Sequence, residues 1–388
     1  MKYTLIQALR GFFSIGVVLM HLKMALNGGF GIPSLKGDAS FFNFLPIVLG
    51  GIPCGFFAIS GYFMAFLVDR ASPNFLAQRL LRAYPTYFLC IALAFVLRAF
   101  TSHPLNSRDL VAVLSLMPLG MGLNYKLGIE WTLVYEIPFY FVCAIFCRPK
   151  WRNLFPTFLI SWLFVIILAS ITAYFAPALG QPGGRLWAGV QGVVPYYPPK
   201  ALPNPLSLWL SIWDYSFIMG ALVYYFLKRR SEPATMFWAS QVLLATTCVV
   251  SVLNASGYQV LYLLGLLAAA LLIVLISLEK RIRSPKFLSQ LGDYSYALYL
   301  MHPTIIILVL DRWHAITGQP PGLAASLFTL VVCFGAFWFL GQWDVAMHKY
   351  FKARLDRAMP KITPAFSRAM RVFFKSESRT APFGQDKS

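Results

Sequence analysis

Arg10 and His21 stand eleven positions apart in one apolar run, Leu5 to Leu26. An ionisable side chain inside such a run costs free energy and asks for a reason. If the run is helical, eleven steps of about 100° return to within roughly 20° of the same face, with about 16 Å between the two side chains along the axis. One face would then carry a permanent cation near its start and a titratable base deeper in. That combination suits anion binding and proton abstraction. A snorkelling arginine and a core histidine bonded to a neighbouring carbonyl fit the same spacing.

Arg79 and Arg82, in FLAQRLLRAYP, form a second basic pair. Two guanidinium groups three positions apart share a helix face and match phosphate oxygens. Ordinary anchoring of a span by basic residues is the alternative. Glu136, in WTLVYEIPFYF, lies about one turn inside another apolar run, where a carboxylate needs a partner. Its expected depth is near that of His21. A carboxylate on one imidazole nitrogen would fix the tautomer and strengthen the other nitrogen as a base. An ion pair with a different cation is the alternative. Pro138 removes a backbone donor close by, so a kink beside Glu136 is expected. The glycines of GGIPCGFFAISGYF (50–63) permit close helix packing or approach by a ligand. His302, in LGDYSYALYLMHP, is a further intramembrane imidazole, most simply a core histidine bonded to a neighbour. Asp214 and Asp344 fall at the ends of apolar runs, where an interfacial position is expected.

The elements that must hold these residues follow from composition. Of 388 residues, 58% are hydrophobic and 12% charged, half the charge of an ordinary soluble domain, about 25%. Such a chain cannot cover a soluble surface, and its apolar stretches repeatedly reach about 20 residues, enough to cross a bilayer. Spans are expected near 5–26, 44–68, 84–101, 131–147, 154–176, 207–227, 236–254, 259–278, 292–310 and 322–343. The fold class is therefore an all-α integral membrane protein, a bundle of about ten transmembrane helices. The stretch 110–122 is too short to cross and is expected to be re-entrant or interfacial. The first run carries Arg10 and lacks a small-residue cleavage site, so it reads as a retained helix rather than a signal peptide.

The net charge of +19 comes from basic residues in short loops between apolar runs. That pattern orients helices, and it makes nucleic acid the weaker reading of the charge. With both termini cytoplasmic and 110–122 not crossing, Arg70, Arg148, Lys150, Arg152, Lys228 to Arg230 and Lys280 to Lys286 all fall inside. The long outside loop, about 177–206, is rich in Pro and Gly; an acceptor-binding lid and a plain connector are equally good readings. Residues 1–345 form the expected transmembrane domain. Residues 346–388 form a basic amphipathic tail suited to anionic membrane lipid, with a disordered end. All six cysteines lie in apolar runs and read as small hydrophobes. Cys143 and Cys147 are four apart but have no further ligand nearby, so no metal site is expected.

Five segments, in order, carry a resemblance. LIQALRGFFSIGVVLMH, GFFAISGYF, RLLR, WTLVYEIPFY and LGDYSYALYLMHP are similar to the signature segments of the membrane acyltransferase-3 family, bacterial integral-membrane O-acyltransferases. The hallmark of that family is an Arg and a His with ten residues between them, here Arg10 and His21. Pro138 and Ile59 are small departures from its pattern. The resemblance implies transfer of an acetyl or other short acyl group from cytoplasmic acyl-CoA to a hydroxyl, without a metal. The implied acceptor is a sugar of a cell-surface or exported glycan, or a lipid-linked saccharide, and the implied location is the bacterial inner membrane. His21 and Glu136 would be catalytic, with Glu136 orienting His21, and Arg10, Arg79 and Arg82 would bind the donor phosphates. Ser60, Trp131, Tyr140, Tyr296 and His302 would support the site. A transporter or flippase using the same ionisable residues as a proton relay is the competing class. The chain shows neither an inverted repeat nor a ladder of acidic residues to favour it.

Overall fold

The computed structural model describes residues 3–43, 51–72, 74–116, 125–175, 209–229, 258–279 and 281–377, with isolated positions between 238 and 245. Among the described residues the regular elements are all helical. Ten α-helices follow in chain order: α1 (Thr4–Leu26), α2 (Ile52–Asp69), α3 (Phe75–Arg98), α4 (Leu110–Ser115), α5 (Trp131–Phe146), α6 (Phe155–Phe175), α7 (Ile212–Arg229), α8 (Tyr258–Leu278), α9 (Lys286–Thr317) and α10 (Leu323–Glu377). Every expected span coincides with one of these, except 236–254, which lies largely outside the described residues together with the loop 177–206. Six helices (α1, α2, α3, α6, α9 and α10) are long and apolar enough to cross a membrane. Their outer faces are apolar: Phe164 on α6 is 65% exposed and Phe339 on α10 is 75% exposed. Surfaces of that kind are stable in lipid and not in water. The chain is an all-α, multi-pass membrane protein.

Small residues set the packing. A Cβ placed on Gly292 of α9 would sit 1.9 Å from the Gln7 carbonyl oxygen of α1, and one on Gly220 of α7 would sit 1.9 Å from that of Ala58 in α2. Backbones this close need glycine. Gln7 lies beside Gly292 and His21 beside His302, so α1 and α9 run parallel and in contact over most of their length. The start of α1 is capped from another loop: the Glu279 carboxylate accepts from the Thr4 and Leu5 N–H groups, the latter at 2.8 Å. A carboxylate at a helix N-terminus satisfies orphan donors and opposes the helix dipole.

Polar ties group the loops by side. Asp69 accepts from Lys228 Nζ and Tyr224 Oη, at 2.8 and 2.7 Å, and its carbonyl accepts from Arg152. The ends of α2 and α7 and the start of α6 thus meet at one end of the bundle. At the other end, Asp311 accepts from Ser34 Oγ at 2.7 Å and from the Ser102 N–H at 2.9 Å. The short α4 does not traverse. Lys126 Nζ donates to the Arg108 carbonyl at 2.6 Å, so the two ends of this segment lie together. Glu130 fastens the return by accepting from the N–H groups of Lys126, Leu127 and Ile129.

Two aspartates at the ends of apolar runs are packed inside the protein: Asp214 is 3% exposed and Asp344 is fully buried. Beyond Asp344, α10 does not stop near residue 343 but continues as one helix to Glu377.

Candidate active site

A cavity of about 310 Å³ opens among α1, α2, α3, α5 and α9. Arg10 and Gln7 reach it from α1, Ser60 from α2, Arg79 and Arg82 from α3, Glu136 and Tyr140 from α5, and Tyr296 and Tyr299 from α9. Seven of the residues expected at the site are therefore gathered here, from segments up to 286 positions apart (296 − 10). His21, His302 and Trp131 do not line this cavity. Trp131 packs against the ring of Trp213 at 5.0 Å and that of Phe57 at 6.4 Å, in a neighbouring aromatic cluster.

Each charged group has a distinct setting. Arg10 donates to Gln7 Oε1, one turn back on its own helix, at 3.3 Å. Arg82 is neutralised: its Nη1 lies 2.7 Å from Asp344 Oδ2, and its guanidinium sits 5.3 Å from the Tyr296 ring centroid. Thr86 Oγ1 also donates to Asp344. Arg79 differs, since its buried Nε has no hydrogen-bond partner. Nor does the buried Nδ1 of His348, one turn beyond Asp344 on α10. Of these two atoms, only the Arg79 Nε–H is certain to be a donor and belongs to a residue lining the cavity, where it suits an anion.

Glu136 departs from its expected partner. Its Oε1 accepts from Ser60 Oγ at 2.8 Å and from Tyr140 Oη at 2.6 Å. His21 instead faces a second imidazole, with His21 Nδ1 2.8 Å from His302 Nε2 and ring centroids 4.8 Å apart. The expected equal depth is not seen: Glu136 shares the cavity with Arg10, whereas His21 lies about 16 Å further along α1, against α9.

Tyr299 joins the two centres. It lines the cavity, and its ring lies 6.0 Å from that of His302. Its hydroxyl is 3.0 Å from Thr132 Oγ1, and its ring is 6.0 Å from Phe56. These side chains line the cavity around the ring that stands between it and His302, and in the proposed function they act as its end wall. The sequence reading missed Tyr299, Thr132, Gln7 and Asp344. Asp344 had a signal, as an acid within LGQWDVAMH, but its position at the end of an apolar run pointed to the interface.

Among the described residues no group of three or more His, Cys, Asp or Glu is arranged to hold a metal ion. Comparison with curated proteins and with solved structures returns no match. A family model described as an acyltransferase domain matches residues 4–341, which contain the arginine cavity and both histidines. On that match, spanning most of the 388 residues, the chain belongs to the acyltransferase-3 family of membrane acyltransferases.

Proposed function

We propose that the chain transfers a short acyl group, acetyl in the simplest case, from acyl-CoA to a sugar hydroxyl of an exported glycan or lipid-linked saccharide. The observation that carries this reading is the cavity itself, where Arg10, Arg79 and Arg82 converge within the bundle and Arg79 keeps an orphaned donor. Guanidinium groups match the phosphates of a CoA-type donor, and an apolar cavity beyond them fits an acyl-pantetheine arm. The basic loops favour a cytoplasmic mouth, and the bacterial inner membrane is the location that the resemblance implies.

The arm extends to Tyr299, and the histidine pair stands behind that ring. His21 removes the proton of the acceptor hydroxyl as its oxygen attacks the thioester carbon. The new acyl–oxygen bond forms, the carbon–sulfur bond breaks, and the proton passes from His21 to the departing thiolate. A base placed this way contributes about 10²- to 10⁴-fold. Glu136, fixed by Ser60 and Tyr140, holds a negative charge among the arginines and sets their positions around the donor. The test has two arms. Purified protein in detergent should release thiol from acyl-CoA only when acceptor glycan is present, and glycan from cells lacking the protein should lose acyl mass by mass spectrometry. A flippase would release no thiol.

A further inference from the structure

His302 is followed by Pro303 within α9. Proline has no N–H, so the carbonyl four residues earlier, that of Tyr299, loses its helical donor. The His302 side chain takes the vacancy: Nδ1 lies 2.8 Å from the Tyr299 carbonyl oxygen and 3.2 Å from that of Leu298. A carbonyl only accepts, so Nδ1 of His302 carries hydrogen. His302 is fully buried, and among the described residues no carboxylate contacts either imidazole, so a charged ring is disfavoured there. In the neutral ring Nε2 is then a bare acceptor. The 2.8 Å contact from Nε2 to His21 Nδ1 is a hydrogen bond only if His21 Nδ1 is the donor.

We infer that His302 is the positioning residue of the reaction, holding His21 as the Nδ1–H tautomer so that His21 Nε2 is the base. This rests on the reading of His21 as the base given above. During transfer the acceptor proton moves to His21 Nε2. The positive charge on His21 is shared through its Nδ1–H with the lone pair of His302 Nε2, until the proton leaves on the thiolate. A neutral imidazole thereby serves where a carboxylate would be costly to bury. The His-Pro dipeptide sets the arrangement from the sequence upward, by freeing a carbonyl that fixes one ring, which fixes the next.

Nitrogen-15 NMR of histidine-labelled protein in detergent tests this directly. The chain has five histidines, so His21→Gln and His302→Gln spectra assign both rings. The expected spectrum shows His21 protonated at Nδ1 and bare at Nε2, and His302 protonated at Nδ1. A His21 ring protonated at Nε2 in the unmodified protein overturns the inference, whatever the substrate proves to be. Kinetics supply the second arm. His302→Leu should lower kcat about 100-fold, the low end of what a positioned base contributes, with donor KM unchanged and the His21 tautomers mixed. His302→Gln restores an acceptor at the same reach and should recover activity to within about tenfold of the parent, the scale of one hydrogen bond. Equal loss in Leu and Gln variants that both remain folded, with the His21 tautomer intact, also overturns it. If the NMR holds but His21→Gln retains transfer, the tautomer assignment stands and the reading of His21 as base fails.

Discussion

Arg82 and Asp344 form an ion pair of 2.7 Å between the third and last helices, with the carboxylate fully buried. The pair makes Arg82 a structural member of the bundle as well as a wall of the donor cavity. Arg82→Ala would strand a buried carboxylate, a loss of about 3–5 kcal/mol. Among the described residues Arg79 has no such ion pair, and its Nε is unpartnered. Arg79→Ala should leave thermal stability in detergent unchanged and raise donor KM about tenfold, equivalent to about 1.4 kcal/mol. A pantetheine thioester lacking the nucleotide phosphates should show little of that effect. The double variant Arg82→Met/Asp344→Met should regain stability without regaining donor affinity. Equal behaviour of the two single variants would remove the distinction.

Tyr299→Phe keeps the ring but removes the hydroxyl facing Thr132 at 3.0 Å. One neutral hydrogen bond contributes about 0.5–1.5 kcal/mol, so the end wall should open about two- to tenfold more often. The expected outcome is faster acyl-CoA hydrolysis without acceptor, read as thiol release, at unchanged donor KM. Thr132→Val should behave alike, and the two changes together should add little, because they remove one bond. No rise in either variant would mean that the wall is not what limits access.

Glu136 tests whether its two donors act through it. Tyr140→Phe removes the 2.6 Å bond to Oε1, a bond to a charged group of about 1.5–3 kcal/mol. Transfer should fall about tenfold or more in the parent, and about twofold in a Glu136→Gln background, where the charge is already gone. Additive losses in the double variant would show that Tyr140 works independently of the carboxylate.

Gly292→Ala should be among the most damaging conservative changes in the chain. The added methyl meets the Gln7 backbone at 1.9 Å, and relief requires α1 to move off α9, carrying His21 away from His302. A loss of about 1–3 kcal/mol in stability is expected from overpacking, with activity falling further than stability. Gly318→Ala is the control. Its φ of +66° strains a side chain, yet nothing lies within 4 Å, so it should cost about 1–2 kcal/mol without affecting transfer in the folded fraction.

Helix positions were legible because lipid-facing residues must be apolar over a length the bilayer dictates. Arg10, Arg79, Arg82 and Glu136 were legible as candidates because charge is rare in such runs. Their partners were not. Counting residues from the ends of apolar runs put Glu136 level with His21, but the packed helices put it beside Arg10 instead. Which helix stands beside which is set by contacts such as Gly292 on Gln7 and Gly220 on Ala58, between residues 285 (292 − 7) and 162 (220 − 58) positions apart. The role of His302 had a local sign in Pro303, whose meaning depends on the carbonyl it frees. The role of Asp344 was hidden because its partners, Arg82 and Thr86, stand on a helix about 260 positions away.

The wall formed by Tyr299, Thr132 and Phe56 bears on the membrane as much as on the reaction. An enzyme that takes its donor from one compartment and its acceptor from the other is nearly a channel. If the cavity and the histidine pair were open to each other and to both aqueous phases, protons would pass from imidazole to water to carboxylate. Each would run down a gradient worth about 2.3 kcal/mol per charge at 100 mV. The cell would lose ion-motive force at a rate unrelated to how much glycan it modifies. Under the proposed function, a hydrogen-bonded aromatic partition would keep that leak small while a thioester pressed against it from one side displaced it. The same three side chains would then both slow access to the base and suit the chain to an energised membrane.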